Sequence, residues 1–307
     1  MNIKKISLYV RLSRPVFLLA GIGQIILGSG IARYLGYTID MGVFLQGLFW
    51  IVFVQLAATY LNEYFDLDVD RYNETRTLFS GGSGVLDEAE GEEKLNKRAA
   101  LRGFVVVTSL AGAVTFTLLW SGKISPAAGL FMGLIFSGLM LYSLPPLQFS
   151  RSGYGEIVIS IIIGALIPYF GFSLQTGELH RLLSLTGLPL TILVLVFMLA
   201  VSFPDYVADL KYGKKTFLIR AGWENVMTVH NTLILLAFLL LGSLTFFDFP
   251  RAILLPVFIP IPLGLLQIWL MRQIEGGAKP NWKALTLNAA VMIGLTIYLF
   301  SYGFWTR

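Results

Sequence analysis

Apolar residues run along this chain in long blocks separated by short polar clusters. Blocks near residues 15–37, 41–66, 101–120, 126–146, 156–174, 188–209, 225–247, 251–271 and 283–304 approach or exceed the ~20 residues that an α-helix needs to cross a hydrocarbon core of ~30 Å. The pattern predicts an all-α, polytopic membrane protein of about nine transmembrane helices around a central cavity, in a single domain over residues 1–307. Pro256, Pro260 and Pro262 fall inside the eighth block and predict a kink there. Lys4, Lys5, Arg11 and Arg14 precede the first block, which has no small-residue cleavage site and runs through Arg33. It reads as a retained first span rather than a removed signal peptide.

Composition agrees with that class. Of 307 residues, 56% are hydrophobic and 13% charged, with a mean hydropathy of +0.73, against roughly a quarter charged in soluble domains. There is no Cys, and the two His are far apart. A disulfide framework, a thiolate metal site and a His-based site are excluded, so any metal must be held mainly by oxygen. If the N-terminus is cytoplasmic, all Lys and Arg except Arg33, Lys123, Arg181, Arg251 and Arg307 fall on the cytoplasmic side. That bias predicts N-terminus in and C-terminus out. The net charge of +5 then reflects topology. No basic segment is interleaved with aromatics as a single-strand-binding groove would be, so nucleic acid is not an expected partner. The longer polar connections, about 67–100, 147–155 and 210–224, all lie on the inner side, where the chemistry is expected.

Two acidic constellations stand at the inner ends of spans. Asn62, Asp66 and Asp70 follow the second span at a spacing of four, which places them along one helical face. Asp205 and Asp209 repeat the spacing at the end of the sixth, and the offset from Asp66 to Asp205 equals that from Asp70 to Asp209. The match points to two pseudo-repeated four-helix halves plus a ninth helix. Carboxylates at membrane depth cost roughly 2.5–3.5 kcal/mol each on insertion scales and ask for a partner. One cluster alone is equally well read as polar helix ends at headgroup level; two at matched offsets favour Mg²⁺ held by Asp66, Asp70, Asp205 and Asp209 on a diphosphate between them. Arg71 and Arg76 follow Asp70, and Lys214 and Lys215 follow Asp209, so cations stand ready for phosphate oxygens, although each taken singly is also a topology signal. Ser80, Gly81, Gly82, Ser83 and Gly84 could form a phosphate nest; the ordinary preference of Gly and Ser for loops makes a flexible surface turn the reading adopted. The stretch from Glu88 to Arg98, with Glu90, Glu92 and Glu93, reads as a short solvated helix. His230, Asn231 and Asn288 read as polar groups bonding across helices.

These residues carry a resemblance. Asn62, Asp66 and Asp70 resemble the first signature of the UbiA-type prenyltransferase superfamily, and Asp205, Asp209 and the run from Gly213 to Thr216 resemble the second. The segment Tyr142-Ser143-Leu144-Pro145-Pro146, with Gly155 and Glu156 after it, is similar to that family's connection between the fourth and fifth helices, and Arg11 to Pro15 to its opening. The run from Phe203 to Thr216 looks closest to the 1,4-dihydroxy-2-naphthoate (menaquinone-pathway) branch, whereas Arg76 to Gly82 lacks the Arg-Pro of many ubiquinone-type members.

The resemblance implies an integral enzyme of a prokaryotic cell membrane that moves a prenyl group from a prenyl diphosphate to a hydrophobic, aromatic acceptor with Mg²⁺. Asp66, Asp70, Asp205 and Asp209 would hold the metal, with Asn62 orienting the diphosphate end. Arg76, Lys214, Arg71 and Lys215 would bind substrate. Tyr142 would steady developing positive charge or contact the acceptor, and reads equally as an interfacial anchor. Acceptors such as 4-hydroxybenzoate, a tetrapyrrole or a glyceryl phosphate remain open. So do an ion-coupled transporter, whose sites sit nearer the midplane, and a prenyl-lipid-binding protein.

Overall fold

The computed structural model describes residues 3–88 and 94–307. Glu90, Glu92 and Glu93 lie outside the described residues. Among those described, nine helices are long and apolar enough to cross a membrane: α1 (Lys4–Tyr34), α2 (Met41–Phe65), α3 (Arg98–Trp120), α4 (Pro126–Ser143), α5 (Gly155–Thr176), α6 (Arg181–Lys211), α7 (Trp223–Phe247), α8 (Arg251–Glu275) and α9 (Trp282–Trp305). The fold is the all-α polytopic bundle that the hydropathy pattern predicts. Strand is confined, among the described residues, to a two-residue parallel pair, β1 (Leu86–Asp87) with β2 (Leu95–Asn96).

Short connections at one end are fixed by local chemistry. The Asp40 side chain accepts from the Gly42 and Val43 amides at 3.0 and 3.1 Å to start α2. Ser125 does the same for Ala128 at 3.1 Å, with Pro126 in the first turn of α4. Such caps satisfy amide donors that a helix start leaves orphaned. At the other end the connections are long, and the aspartates gather there.

Two elements depart from expectation. Helix begins well before residue 15, because Ile3–Leu12 is itself helical, with Leu8 and Leu12 buried. It breaks at Arg14, which takes a left-handed conformation (φ 44°), since the ring of Pro15 disfavours the right-handed helical region for its predecessor. The stretch from Glu88 to Arg98 is not a solvated helix in its described part: Leu95 and Asn96 pair with β1, and Arg98 opens α3. The proline-rich eighth span interrupts its α-helix with a 3-10 segment, Leu255–Phe258. Ahead of Pro168, α5 relaxes into a wider π turn over Ile162–Leu166, as a residue without an amide hydrogen permits.

The core divides into one cluster built largely on α2–α5, a second built largely on α6–α9, and a smaller third, including Leu199, Phe203, Met227 and Leu285, where the aspartate end of α6 packs against α7, α8 and α9. The aspartate-bearing α2 belongs to the first, and α6 to the second and third. Helix α1 joins the first two, giving Ile25 to the first and Leu27 and Ile31 to the second. Glycines let it approach its neighbours: a Cβ at Gly28 would collide with the Pro168 carbonyl oxygen. Of the polar groups expected to bond across helices, His230 and Asn288 do so, whereas Asn231 bonds to its neighbour His230 at 3.1 Å on the same helix. The Asn288 side-chain amide donates to Gln267 Oε1 at 2.8 Å, and Gln267 Nε2 meets His230 Nε2 at 3.4 Å.

Gly28→Ala is expected to lower stability by about 1–3 kcal/mol, because its new methyl meets backbone that cannot rotate away. Gly112, on exposed α3, has open space for 4 Å around the point where a methyl would stand, so Gly112→Ala should be neutral or gain up to ~1 kcal/mol from helix propensity. Thermal unfolding in detergent reads both. Equal shifts would contradict the packing at Gly28.

Candidate active site

The second span ends at Phe65, and the chain turns through Asp66 into a one-turn helix, Leu67–Asp70. The Asp66 amide still donates to the Asn62 carbonyl at 2.9 Å, and the Asp70 amide to the Asp66 carbonyl at 2.9 Å. The spacing of four thus survives the helix end. Asp205 and Asp209 sit within the last two turns of α6. Between the two halves stands Lys214, whose ammonium is 2.9 Å from Asp66 and 3.4 Å from Asp209, all three side chains being at least nine-tenths buried.

Both oxygens of Asp66 are engaged, one by Lys214 and the other by Arg151 at 3.1 Å. Arg151 also donates to the Phe65 carbonyl at 2.6 Å. Asp205 is held by the α2–α3 connection: the Asn73 amide group donates to one oxygen at 2.6 Å and the Gly81 backbone to the other at 3.2 Å. A further bond from Thr75 reaches the Pro204 carbonyl.

The glycine-rich segment is therefore not a flexible surface turn. Ser80, Gly81 and Gly82 are buried, and Gly81, Gly82 and Gly84 have positive φ. A Cβ on Gly82 would collide with an Asp70 carboxylate oxygen. Only residues without side chains let this backbone lie against the acidic cluster. Beneath it, Glu63 accepts from the Ser83 amide at 2.7 Å and its hydroxyl at 2.5 Å, and pairs with Arg14 at 3.6 Å.

The structure brings together most of the expected residues and separates some. Asp66, Asp70, Asp205, Asp209 and Lys214 form one electrostatic cluster, with Tyr142 in range of Lys214, Asp66 and Asp209. Arg76 is turned under the glycine-rich loop, donating to the Gly81 carbonyl at 2.5 Å and the Asp70 carbonyl at 2.6 Å. Its donors brace backbone, which a carbonyl-rich loop with positive φ makes available. Arg71 is half exposed and faces Asp87 at 3.6 Å. With Asp70, Arg76 and Lys94 it lines a cavity of about 70 Å³. Lys215 is exposed, its backbone amide bonded to the Arg151 carbonyl at 3.1 Å. Arg71 and Lys215 thus stand outside the ion-pair cluster, because consecutive residues after a helix end cannot all point inward. Sequence reasoning passes over Arg151, Glu63 and Asn73. Arg151 is hidden among topology charges, and only the neighbouring Asn62 and Asp70 could draw attention to the other two.

The donors fit Mg²⁺. Among the described residues no three His, Cys, Asp or Glu side chains converge to hold an ion by themselves. Paired carboxylates are nonetheless the usual protein share of a Mg²⁺ site, phosphate and water completing it. The Asn62 side-chain oxygen is buried without a partner in this region, a further hard ligand or acceptor.

Outside the spans, burial pushes the Asp70 carboxyl well above the usual carboxylate range; Lys214 opposes that, and Asp66, Glu63 and Asp205 add to it. Burial alone would lower the Lys214 ammonium, but Asp66, Asp209 and Asp70 outweigh it and raise it.

The sequence profile described as the UbiA prenyltransferase family matches residues 24–291. Over 252 residues the chain is 24% identical to 1,4-dihydroxy-2-naphthoate octaprenyltransferase of Bacillus subtilis (strain 168), covering 82% of this chain and 78% of that one. A UbiA homologue from Archaeoglobus fulgidus, bound to GPP and Mg²⁺, superposes with a TM-score of 0.69 at 20% identity, over 98% of this chain and 100% of the other. The apo structure of a UbiA homologue from Aeropyrum pernix K1 gives 0.63 at 13% identity, over 94% and 96%.

Lys214→Met should remove the cation that offsets the cluster and cost about 3 kcal/mol or more near neutral pH. A carboxyl raised on folding binds more protons folded than unfolded, so its share of stability falls as pH rises above its unfolded value. Without Lys214, Asp70 is raised further, and the variant's deficit should shrink on acidification from pH 8 towards pH 6. Unfolding midpoints across that range give the test; a pH-independent deficit would show that Lys214 does not offset these carboxylates.

Proposed function

This chain belongs to the UbiA prenyltransferase family, and on that premise we propose that it transfers a prenyl group from a prenyl diphosphate to 1,4-dihydroxy-2-naphthoate or a closely similar aromatic acceptor, with Mg²⁺. Family membership removes the transporter and the non-catalytic lipid binder as rivals. The observation that carries the site reading is the meeting of the two carboxylate pairs around Lys214. The acceptor reading rests on the second motif and on the 1,4-dihydroxy-2-naphthoate octaprenyltransferase relative; the metal reading gains support from the Archaeoglobus homologue with GPP and Mg²⁺.

Asp66, Asp70, Asp205 and Asp209 would hold Mg²⁺, with Asn62 beside them, and the metal would supply charge neutralisation for the departing diphosphate. Lys214 and Arg151 already face this space and can exchange carboxylate contacts for phosphate oxygens, an interaction that grows as negative charge develops on the leaving group. Asn73 and Gly81 fix Asp205 so that it need not reorganise during the step. As the allylic carbon loses its diphosphate it becomes cation-like. The electron-rich acceptor attacks it and gives up a proton. Water would intercept that carbon, so burial of the site between membrane helices is part of the chemistry. The Tyr142 ring, near the same charges, would steady the cation.

Purified protein should prenylate the naphthoate in preference to 4-hydroxybenzoate or glyceryl phosphate, and only with Mg²⁺ or Mn²⁺ present. In the same assay Asp66→Asn should lose roughly a hundredfold or more in rate, while Glu90→Gln stays within a few-fold. The fold should survive, because Lys214 keeps Asp209. Equal, near-parental rates for the two variants would remove Asp66 from the metal site, and preference for another acceptor would overturn the naphthoate assignment alone.

We further propose that the aspartate end faces the cytoplasm, on the distribution of Lys and Arg. A topology reporter after Arg307 should then read as non-cytoplasmic and one inserted near Glu90 as cytoplasmic; the reverse would invert the placement.

A further inference from the structure

Away from the carboxylates, a cavity of about 220 Å³ opens between the N-terminal turns of α1 and the start of α3, lined by Tyr9, Leu95, Asn96, Arg98, Ala99 and Arg102. The basic residues around it behave differently from one another. Lys94 donates to the Gly84 carbonyl at 2.7 Å, and Lys97 pairs with Glu88 at 3.0 Å. Arg98 and Arg102 are exposed, and among the described residues no carboxylate pairs with either guanidinium. They stand one turn apart on α3, so both reach the same cleft.

The surface next to them turns apolar in the direction of the membrane. One turn beyond Arg102 along α3, Val105 and Val106 are 60% and 58% exposed, and Leu110 follows. Across the cleft, Ile6 and Val10 flank Tyr9 and are 43% and 54% exposed. The Ser13 and Tyr60 hydroxyls are bonded at 2.8 Å and Gly103 lies against the Tyr60 ring, so α1, α2 and α3 touch one another at this end. Two cations at a span end, a pocket between them and a tyrosine, and an apolar stripe leading away into the bilayer have the polarity of one phospholipid: phosphate headgroup first, acyl chains beyond.

We propose that this cleft is a binding site for an anionic phospholipid, with Arg98 and Arg102 on the headgroup phosphate and the acyl chains along Val105, Val106 and Leu110. The site is separate from the carboxylate cluster and does not depend on the acceptor or on which side of the membrane it faces. A structural lipid here would tie the N-terminal turns of α1 to α3.

The test uses the full-length protein in a non-ionic detergent, titrated with short-chain phosphatidylglycerol, phosphatidylcholine or inorganic phosphate, with the unfolding midpoint as readout. Phosphatidylglycerol should raise the midpoint by about 3–8 °C near saturation, as binding to the folded state alone requires. The other two should not. The double variant Arg98→Gln/Arg102→Gln should lose most of the shift, and Arg102→Gln alone part of it, which keeps the test open if the double variant is poorly made. Arg272→Gln, an exposed arginine at the same end, should keep the whole shift. Any of three results overturns the proposal: no shift in the parent, a parental shift in the Arg98 and Arg102 variants, or an equal shift with inorganic phosphate.

Discussion

Everything at the aspartate end depends on one ammonium group. Lys214 joins Asp66 of the first half to Asp209 of the second, and without it the bundle would have to bury like charges against one another at several kcal/mol. The same ion pairs fix the distance between α2 and α6. On the proposed function, a site that receives a diphosphate and its metal would have to be strongly acidic beforehand, and a buried lysine would make that acidity tolerable. Because Lys214 lies on a connection rather than within a span, it can shift towards an incoming phosphate without moving a helix.

A second constraint is backbone. The connection from α2 to α3 passes under and over the acidic cluster, and it can do so only because Gly81, Gly82 and Gly84 adopt positive φ and have no side chain to collide with Asp70 or Arg76. Arg76 and Glu63 then lock the loop from below, one through carbonyl oxygens and the other through Ser83. The charged residues in this region thus divide into those that face the prospective substrate and those that hold the walls, a division that charge alone does not reveal.

How far the sequence discloses this structure follows from which forces are local. Span number is set by hydropathy and by caps such as Asp40 and Ser125, which act within a few residues, so the helices are legible, although α1 and α6 begin several residues before their apolar blocks. The convergence of Asp66 and Asp209 is legible because a matched spacing repeats itself and the cost of buried charge demands a partner. What escapes are long-range pairings. Nothing near Arg151 marks it as the partner of Asp66, and nothing near Asn73 points to Asp205, since each contact is created by helix packing across the bundle. The Gly-Ser run misleads for the same reason: loop propensity is local, whereas its burial depends on α6 lying against it. Arg71 and Lys215 show the opposite error, in which proximity along the chain is taken for proximity in space.

The two guanidinium bonds from Arg151 to Asp66 and to the Phe65 carbonyl have a consequence for the order in which the chain is made. Synthesis delivers α2 to the membrane long before α6, so Asp66 must wait for Lys214 while more than a hundred residues are added. Arg151 emerges earlier, between α4 and α5, and is the first made of the two cations that pair with that carboxylate. It can act as a temporary counterion for a half-built site, neutralising Asp66 while α5 and α6 are threaded. Asn73 and Gly81, by contrast, have no Asp205 to hold until the second half arrives. The bonds from this loop to α6 therefore form last, whereas those to Arg76 and Glu63 need only the first half of the chain.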